Sequence, residues 1–212
     1  MKDVREMTVE ELTVALWSDA PTPGGGSAAA LTGALAAALT GMVANLSQGE
    51  KFASVRNEMA EIALRVDLIR QQLLQFMQQD TESYAQYMTA LAMPKSTEEE
   101  KLLRREAMQS GLKAAAQTPL QAARTILPLF ALLEKVIHLG NRNAVTDALM
   151  GAMLARTGIL AALLNVKINL AGIRDAAFVS EVEQKVQELE CAAITGERKV
   201  LSCSELTSGM RQ

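Results

Sequence analysis

The stretch PTPGGGSAAALTGALAAALTGMVANL, Pro21 to Leu46, decides the architecture. Its second part, Ala28 to Leu46, carries no charge and is dominated by alanine, leucine, glycine and threonine. Alanine and leucine are strong helix formers, and a helix apolar on every side belongs inside a bundle. The run approaches the length of a membrane span. Alanine, glycine and threonine contribute little to insertion, however, and no basic flank orients the segment. It is read as the central buried helix of a water-soluble bundle with no membrane partner. Gly33, Ala37 and Gly41 recur every four residues on one face. Small residues at that spacing let two helix backbones approach closely, within the chain or across a dimer seam.

The first part, Pro21-Thr22-Pro23-Gly24-Gly25-Gly26-Ser27, has two readings. Proline and glycine are ordinary punctuation before a helix, and serine is a good N-cap. The same glycines also strip Cβ atoms from a turn that opens onto unpaired backbone amides, which suits an anionic or strongly polar ligand group. The stretch is neither a dinucleotide fingerprint nor a P-loop, since it lacks the Lys-Ser/Thr of a nucleotide phosphate site.

The remaining chain reads as helices. The 212 residues carry a net charge of −3, and aromatic residues make up only 3%. That composition favours helices over strands and shows no basic block for nucleic acid. Two cysteines, Cys191 and Cys203, make no disulfide framework, so a reducing cytoplasm is expected. Thr8 and Glu11 form a capping-box pattern before a first helix that ends near Asp19. An amphipathic pattern from about Ser54 to Met93 predicts a long spine, stopped by Pro94. Ser96–Glu99 or Thr97–Glu100 caps a helix through Ala116. Pro119 is expected to start the next helix, and Pro128 to kink it. Gly140-Asn141-Arg142-Asn143 closes that helix, another runs from Ala144 to Leu170, and Asp175 caps a last one to about Ala193. The expectation is an all-α, single-domain helical bundle with a long central helix pair. It occupies residues 1–195 and is followed by a polar tail, 196–212.

Three polar positions interrupt apolar helices: Asp80, the Asn141-Arg142-Asn143 turn with Asp147, and the pair Asn165 and Asn169. Buried amides and carboxylates are costly unless paired. Each taken singly is an ordinary bridge between helices, but together they suit a polar cleft between helices. One histidine and two cysteines at no ligand spacing leave no zinc site. His138 near a helix end is read as a partner of the helix dipole rather than a catalytic base.

In this order PTPGGGSAAA (21–30), MVANLSQG (42–49), DTESY (80–84), PKSTEEEKLLR (94–104), PLQA (119–122), GNRNAVTD (140–147) and NVKINL (165–170) resemble the cyclodeaminase/cyclohydrolase family of folate enzymes. That family includes the C-terminal half of formimidoyltransferase-cyclodeaminase and the stand-alone methenyltetrahydrofolate cyclohydrolases. The resemblance implies a homodimeric all-helical enzyme acting on a tetrahydrofolate derivative, with or without a polyglutamate tail, using no metal and no further cofactor. It places Gly24, Gly25, Gly26 and Ser27 in the folate cleft. It matches Asp80 to the proposed acid/base, and Asn141, Asn143 and Asp147 to the Gly-Asn-x-Asn turn and its following aspartate. Glu50-Lys51 departs from the doubly basic pair common in relatives.

The chemistry then expected is a proton shuttle at a tetrahedral carbon, assigned to Asp80 with Asp147 as a second catalytic candidate. Amides offer donor and acceptor together, so Asn141, Asn143, Asn165 and Asn169 are expected on the pterin edge. Lys51 and Lys95 are candidates for the glutamate-tail carboxylates. The positive end of the second helix should face a carboxylate or the pterin carbonyl, not a cationic carbon. Hydrolysis of 5,10-methenyltetrahydrofolate is the first expectation and formimidoyltetrahydrofolate cyclodeamination the second. A non-catalytic folate-binding or helical dimerisation protein is the alternative outside enzymes.

Overall fold

The computed structural model describes residues 3–210 and folds them into seven α-helices and four short 3-10 turns, with no strand among the described residues. The helices are α1 (Val9–Trp17), α2 (Gly25–Asn45), α3 (Arg56–Ala92), α4 (Glu98–Ile126), α5 (Leu129–Leu139), α6 (Val145–Leu170) and α7 (Ala176–Ser202). Helix α2 lies between α3 and α6, α4 closes the other side against the same two helices, and α7 packs along α6.

The small residues of α2 explain this placement. Ala36, Ala37, Val43 and Ala44 are fully buried. A Cβ on Gly158 of α6 would lie 3.1 Å from the Gly33 nitrogen and 3.2 Å from the Ala29 carbonyl oxygen, so the two backbones nearly touch. Gly41 meets Val66 of α3. The stripe Gly33, Ala37, Gly41 is therefore consumed by packing within the chain. By length and composition both α2 and the segment 142–170 could cross a membrane, yet 61% and 50% of their apolar windows are buried inside the protein.

Local signals act as expected at several ends. Both capping boxes form: Thr8 with Glu11 at α1, and Thr97 with Glu100 at α4. Met93, extended before Pro94, ends α3. Asp175 accepts from the Phe178 amide and caps α7.

Three expectations are corrected. Pro119 does not start a helix; it lies buried inside a continuous α4. A mid-helix proline frees the carbonyl four residues back, here Ala115, and Asn169 Nδ2 from α6 donates to that oxygen at 3.1 Å. Pro128 does not kink one helix but separates two, acting as N-cap of α5. The last helix does not stop near Ala193, and residues 196–210 do not form a polar tail. Helix α7 runs to Ser202, buries Val200 and Leu201, and is followed by a 3-10 turn, Glu205–Met210, in which Thr207 is buried. Gly196, where the polar tail was expected to begin, is a packing residue: a Cβ there would stand 2.4 Å from Phe130 Cδ2.

Candidate active site

The first turn of α2 abuts the middle of α3, and Asp80 stands at the junction. A Cβ on Gly26 would fall 2.1 Å from Asp80 Oδ1, so only glycine admits the carboxylate at this distance. Ser27 Oγ lies 2.9 Å from Asp80 Oδ2 and 3.1 Å from the Met77 carbonyl oxygen. The N-cap, Gly24, offers no side-chain hydrogen bond to the helix. Asp80 thus occupies the positive end of α2 from another helix, as an acidic cap does within its own. The amides expected to meet a ligand's carboxylate or carbonyl first meet this one.

Burial pushes the Asp80 carboxyl above the ordinary carboxylate range, while the Ser27 hydroxyl and backbone amide pull it back. The balance lies upward. A half-buried acid held this way can exchange a proton nearer to neutral pH than an exposed aspartate.

Around Asp80 is a cleft of about 230 Å³ lined by the Pro21–Gly26 loop, Ser83, Tyr84 and Tyr87 of α3, Leu112 and Ala115 of α4, and Asn165, Ile168 and Asn169 of α6. Asp80 is the only acidic side chain among the lining residues. Asn165 packs against Gly25 and donates from Nδ2 to the Ala161 carbonyl at 2.9 Å. Asn169 commits Nδ2 to the carbonyls of Ala115 and Asn165. Its Oδ1 is left as an acceptor. An acceptor of this kind suits the N–H edge of a pyrimidine-like ring. Among the described residues no three His, Cys, Asp or Glu side chains form a metal-binding group.

The structure divides the expected site residues into two sets. Gly24, Gly25, Gly26, Ser27, Asp80, Asn165 and Asn169 come together. Asn141, Asn143 and Asp147 do not join them. The Asn141 amide donates to Ser47 Oγ at 2.8 Å, just past the far end of α2, and Asn141 Oδ1 accepts from the Asn143 amide. A helix of 21 residues spans about 30 Å, which separates the two sets. Lys51 is also at the far end, in the turn Glu50–Phe52, with its Nζ over the Phe52 ring. Lys95 lies exposed beyond the C-terminus of α3. His138 is exposed in the last turn of α5 and borders a separate groove with Arg142, Cys203 and Leu206.

Sequence reasoning missed Ser83, Tyr84, Tyr87, Leu112 and Ile168. The signal was present for three of them. Ser83, Tyr84 and Tyr87 follow Asp80 at i+3, i+4 and i+7, one helical face, and the two tyrosines are the only ones in the chain. Nothing local marks Leu112, which belongs to another helix.

The family model described as Formiminotransferase-cyclodeaminase matches residues 8–188. Methenyltetrahydrofolate cyclohydrolase of Methylorubrum extorquens is 38% identical over 184 residues, covering 86% of this chain and 87% of that protein. Formimidoyltransferase-cyclodeaminase of Gallus gallus is 34% identical over 86% of this chain, which spans only 34% of that longer protein. The crystal structure of formiminotetrahydrofolate cyclodeaminase from Thermotoga maritima superposes with a TM-score of 0.83 at 30% identity, covering 94% of this chain and 96% of that one. With sequence, fold and length in agreement, the chain belongs to the formiminotransferase-cyclodeaminase family.

Proposed function

We propose that this protein is a folate one-carbon enzyme that hydrolyses 5,10-methenyltetrahydrofolate to 10-formyltetrahydrofolate, with Asp80 as the proton carrier. The observation that carries the reading is the single carboxylate in the cleft, buried against the first turn of α2. Water adds to the cationic carbon bridging N5 and N10 while Asp80 takes one of its protons. The tetrahedral adduct then collapses: the C–N5 bond breaks, N5 receives the proton held by Asp80, and the hydroxyl proton leaves to solvent as the formyl C=O forms. The ionised carboxylate also stabilises the cationic carbon before attack. The reaction needs no metal and no second cofactor. Asn165 and Asn169 orient the pterin, and Tyr84 and Tyr87 wall the cleft.

The assembly assigned to it is a homodimer. In support, Ala38, Met42 and Leu64 share a groove between α2 and α3, and Leu35, Met42, Leu64 and Leu68 are exposed, an apolar face of the kind that marks an interface. Asn141, Asn143, Asp147 and Lys51 reach an Asp80 cleft only from a second copy, since each lies at the wrong end of its own α2. Cys191 and Cys203 are free thiols, in keeping with a cytoplasmic setting.

The test is turnover of purified protein, followed as loss of methenyl absorbance. Asp80→Asn should reduce it about a hundredfold or more, the general acid–base scale; near-wild-type turnover removes Asp80 from the mechanism. The likeness to the Thermotoga maritima cyclodeaminase favours a second reading, attack of N10 on a formimino carbon with loss of ammonia. Ammonia release from formiminotetrahydrofolate, without turnover of the methenyl compound, would select it.

A further inference from the structure

Ser27 Oγ is one donor facing two acceptors. It stands 2.9 Å from Asp80 Oδ2 and 3.1 Å from the Met77 carbonyl oxygen, and a hydroxyl carries one hydrogen. One turn further along α3, Thr81 Oγ1 is buried with no hydrogen-bond partner, in a residue only 6% exposed. A helical threonine ordinarily donates to the carbonyl four residues back. For Thr81 that carbonyl is Met77, the oxygen Ser27 reaches. The amide of Thr81 uses one lone pair of this oxygen in the helix, leaving one for the two hydroxyls. The orphaned hydroxyl and the doubly solicited one therefore compete for a single site.

We propose that Ser27, the Met77 carbonyl and Thr81 form a two-state hydrogen-bond switch that holds Asp80 in place both with and without its proton. With Asp80 ionised, Ser27 donates to Oδ2 and Thr81 turns to the Met77 carbonyl. With Asp80 protonated, its carboxyl hydrogen is donated to Ser27 Oγ, Ser27 turns its own hydrogen to Met77, and Thr81 is left without an acceptor. Each state contains two side-chain hydrogen bonds, and the cost of protonation falls on one threonine hydroxyl. A donor that could serve only the carboxylate would resist protonation, whereas an acid–base group must change state in every turnover. The importance of the switch for catalysis rests on Asp80 as proton carrier; its existence rests on the geometry alone. Ser27 and Thr81 are positioning residues. Around Asp80 the cleft presents Tyr84 and Tyr87 from α3, the glycine turn from α2, Leu112 and Ala115 from α4, and Asn165 and Asn169 from α6. None of these is a second carboxylate, a histidine, a lysine or an arginine.

The test is an NMR titration of the ¹³C-labelled Asp80 carboxyl in substrate-free protein, assigned by its loss in Asp80→Asn. Thr81→Val leaves the Met77 carbonyl unserved only when Asp80 is ionised. The titration midpoint should therefore rise by about half a pH unit, the scale of one neutral hydrogen bond, although Thr81 makes no bond to Asp80. Thr81→Ser should restore the wild-type midpoint. In a Ser27→Ala background Thr81→Val should move nothing, because the link is gone. An unshifted midpoint in Thr81→Val, or a shift that persists in Ser27→Ala, overturns the proposal. Should Ser27→Ala fail to fold, the comparison of Thr81→Val with Thr81→Ser decides alone. No substrate is present, so this outcome is independent of the turnover assay on Asp80→Asn.

Discussion

Replacing Gly26 with alanine tests the junction of α2 and α3 directly. The added methyl carbon would lie 2.1 Å from Asp80 Oδ1 and 2.6 Å from its Cγ, while ordinary contact begins at about 3.4 Å. The carboxylate must therefore retreat by roughly an ångström, leaving Ser27 and the end of α2. A hydrogen bond to a charged group contributes about 1.5–3 kcal/mol, and overpacking costs about 1–3 kcal/mol. The variant should be destabilised by about 2–3 kcal/mol in urea unfolding, and turnover should fall about a hundredfold, the usual penalty for a misplaced group. In an Asp80→Ala background the obstacle is absent. There Gly26→Ala should instead stabilise, by up to about 1 kcal/mol, because alanine is the better helix residue. The sign change across this double-mutant cycle is the decisive result. Equal destabilisation in both backgrounds would refute contact with Asp80 as the reason for glycine at this position.

Four further outcomes are expected. Burial raises the folded-state pKa of Asp80, so its contribution to stability is full below the unfolded pKa and is lost as pH rises through the folded one. Asp80→Asn should therefore melt at or above the wild-type temperature at neutral pH and lose that advantage in acid; a uniformly lower Tm would contradict the burial argument. Pro119→Ala restores an amide that competes with Asn169 for the Ala115 carbonyl; it should stabilise α4 by about 1–3 kcal/mol yet raise KM several-fold, and an unchanged KM would separate Asn169 from substrate binding. Gly196→Ala drives a methyl against Phe130 and should cost about 1–3 kcal/mol. Gly49→Ala, with nothing within 4 Å and a negative φ, should be neutral or stabilising by about 0.4–1 kcal/mol. Similar effects at both glycines in urea unfolding would undo their separation into packing and turn residues.

Glycine and proline mark where the sequence could and could not be read. Pro94 ends α3 through a clash with its own neighbour, which any chain would feel. Pro119 carries the same local signal and ends nothing, because an asparagine fifty residues away satisfies the carbonyl it frees. Gly196 resembles a helix stop in one dimension and a slot for Phe130 in three. The candidate site follows the same rule. Asp80 and Asn165 stood out as polar residues in apolar helices, but Leu112 lines the cleft through nothing in its own neighbourhood.

Helix periods, capping boxes and the all-α class were determined by the sequence alone, because each depends on residues three or four apart and on hydrogen bonds closed within one turn. Tertiary structure alone decided that Asp80 closes the open end of α2, that the glycine stripe brings α2 close to α3 and α6, and that Asn141, Asn143 and Asp147 stand about 30 Å from the Asp80 of their own chain. Those outcomes depend on which helices lie side by side and in which direction, and side-chain spacing along one helix carries no record of its neighbours.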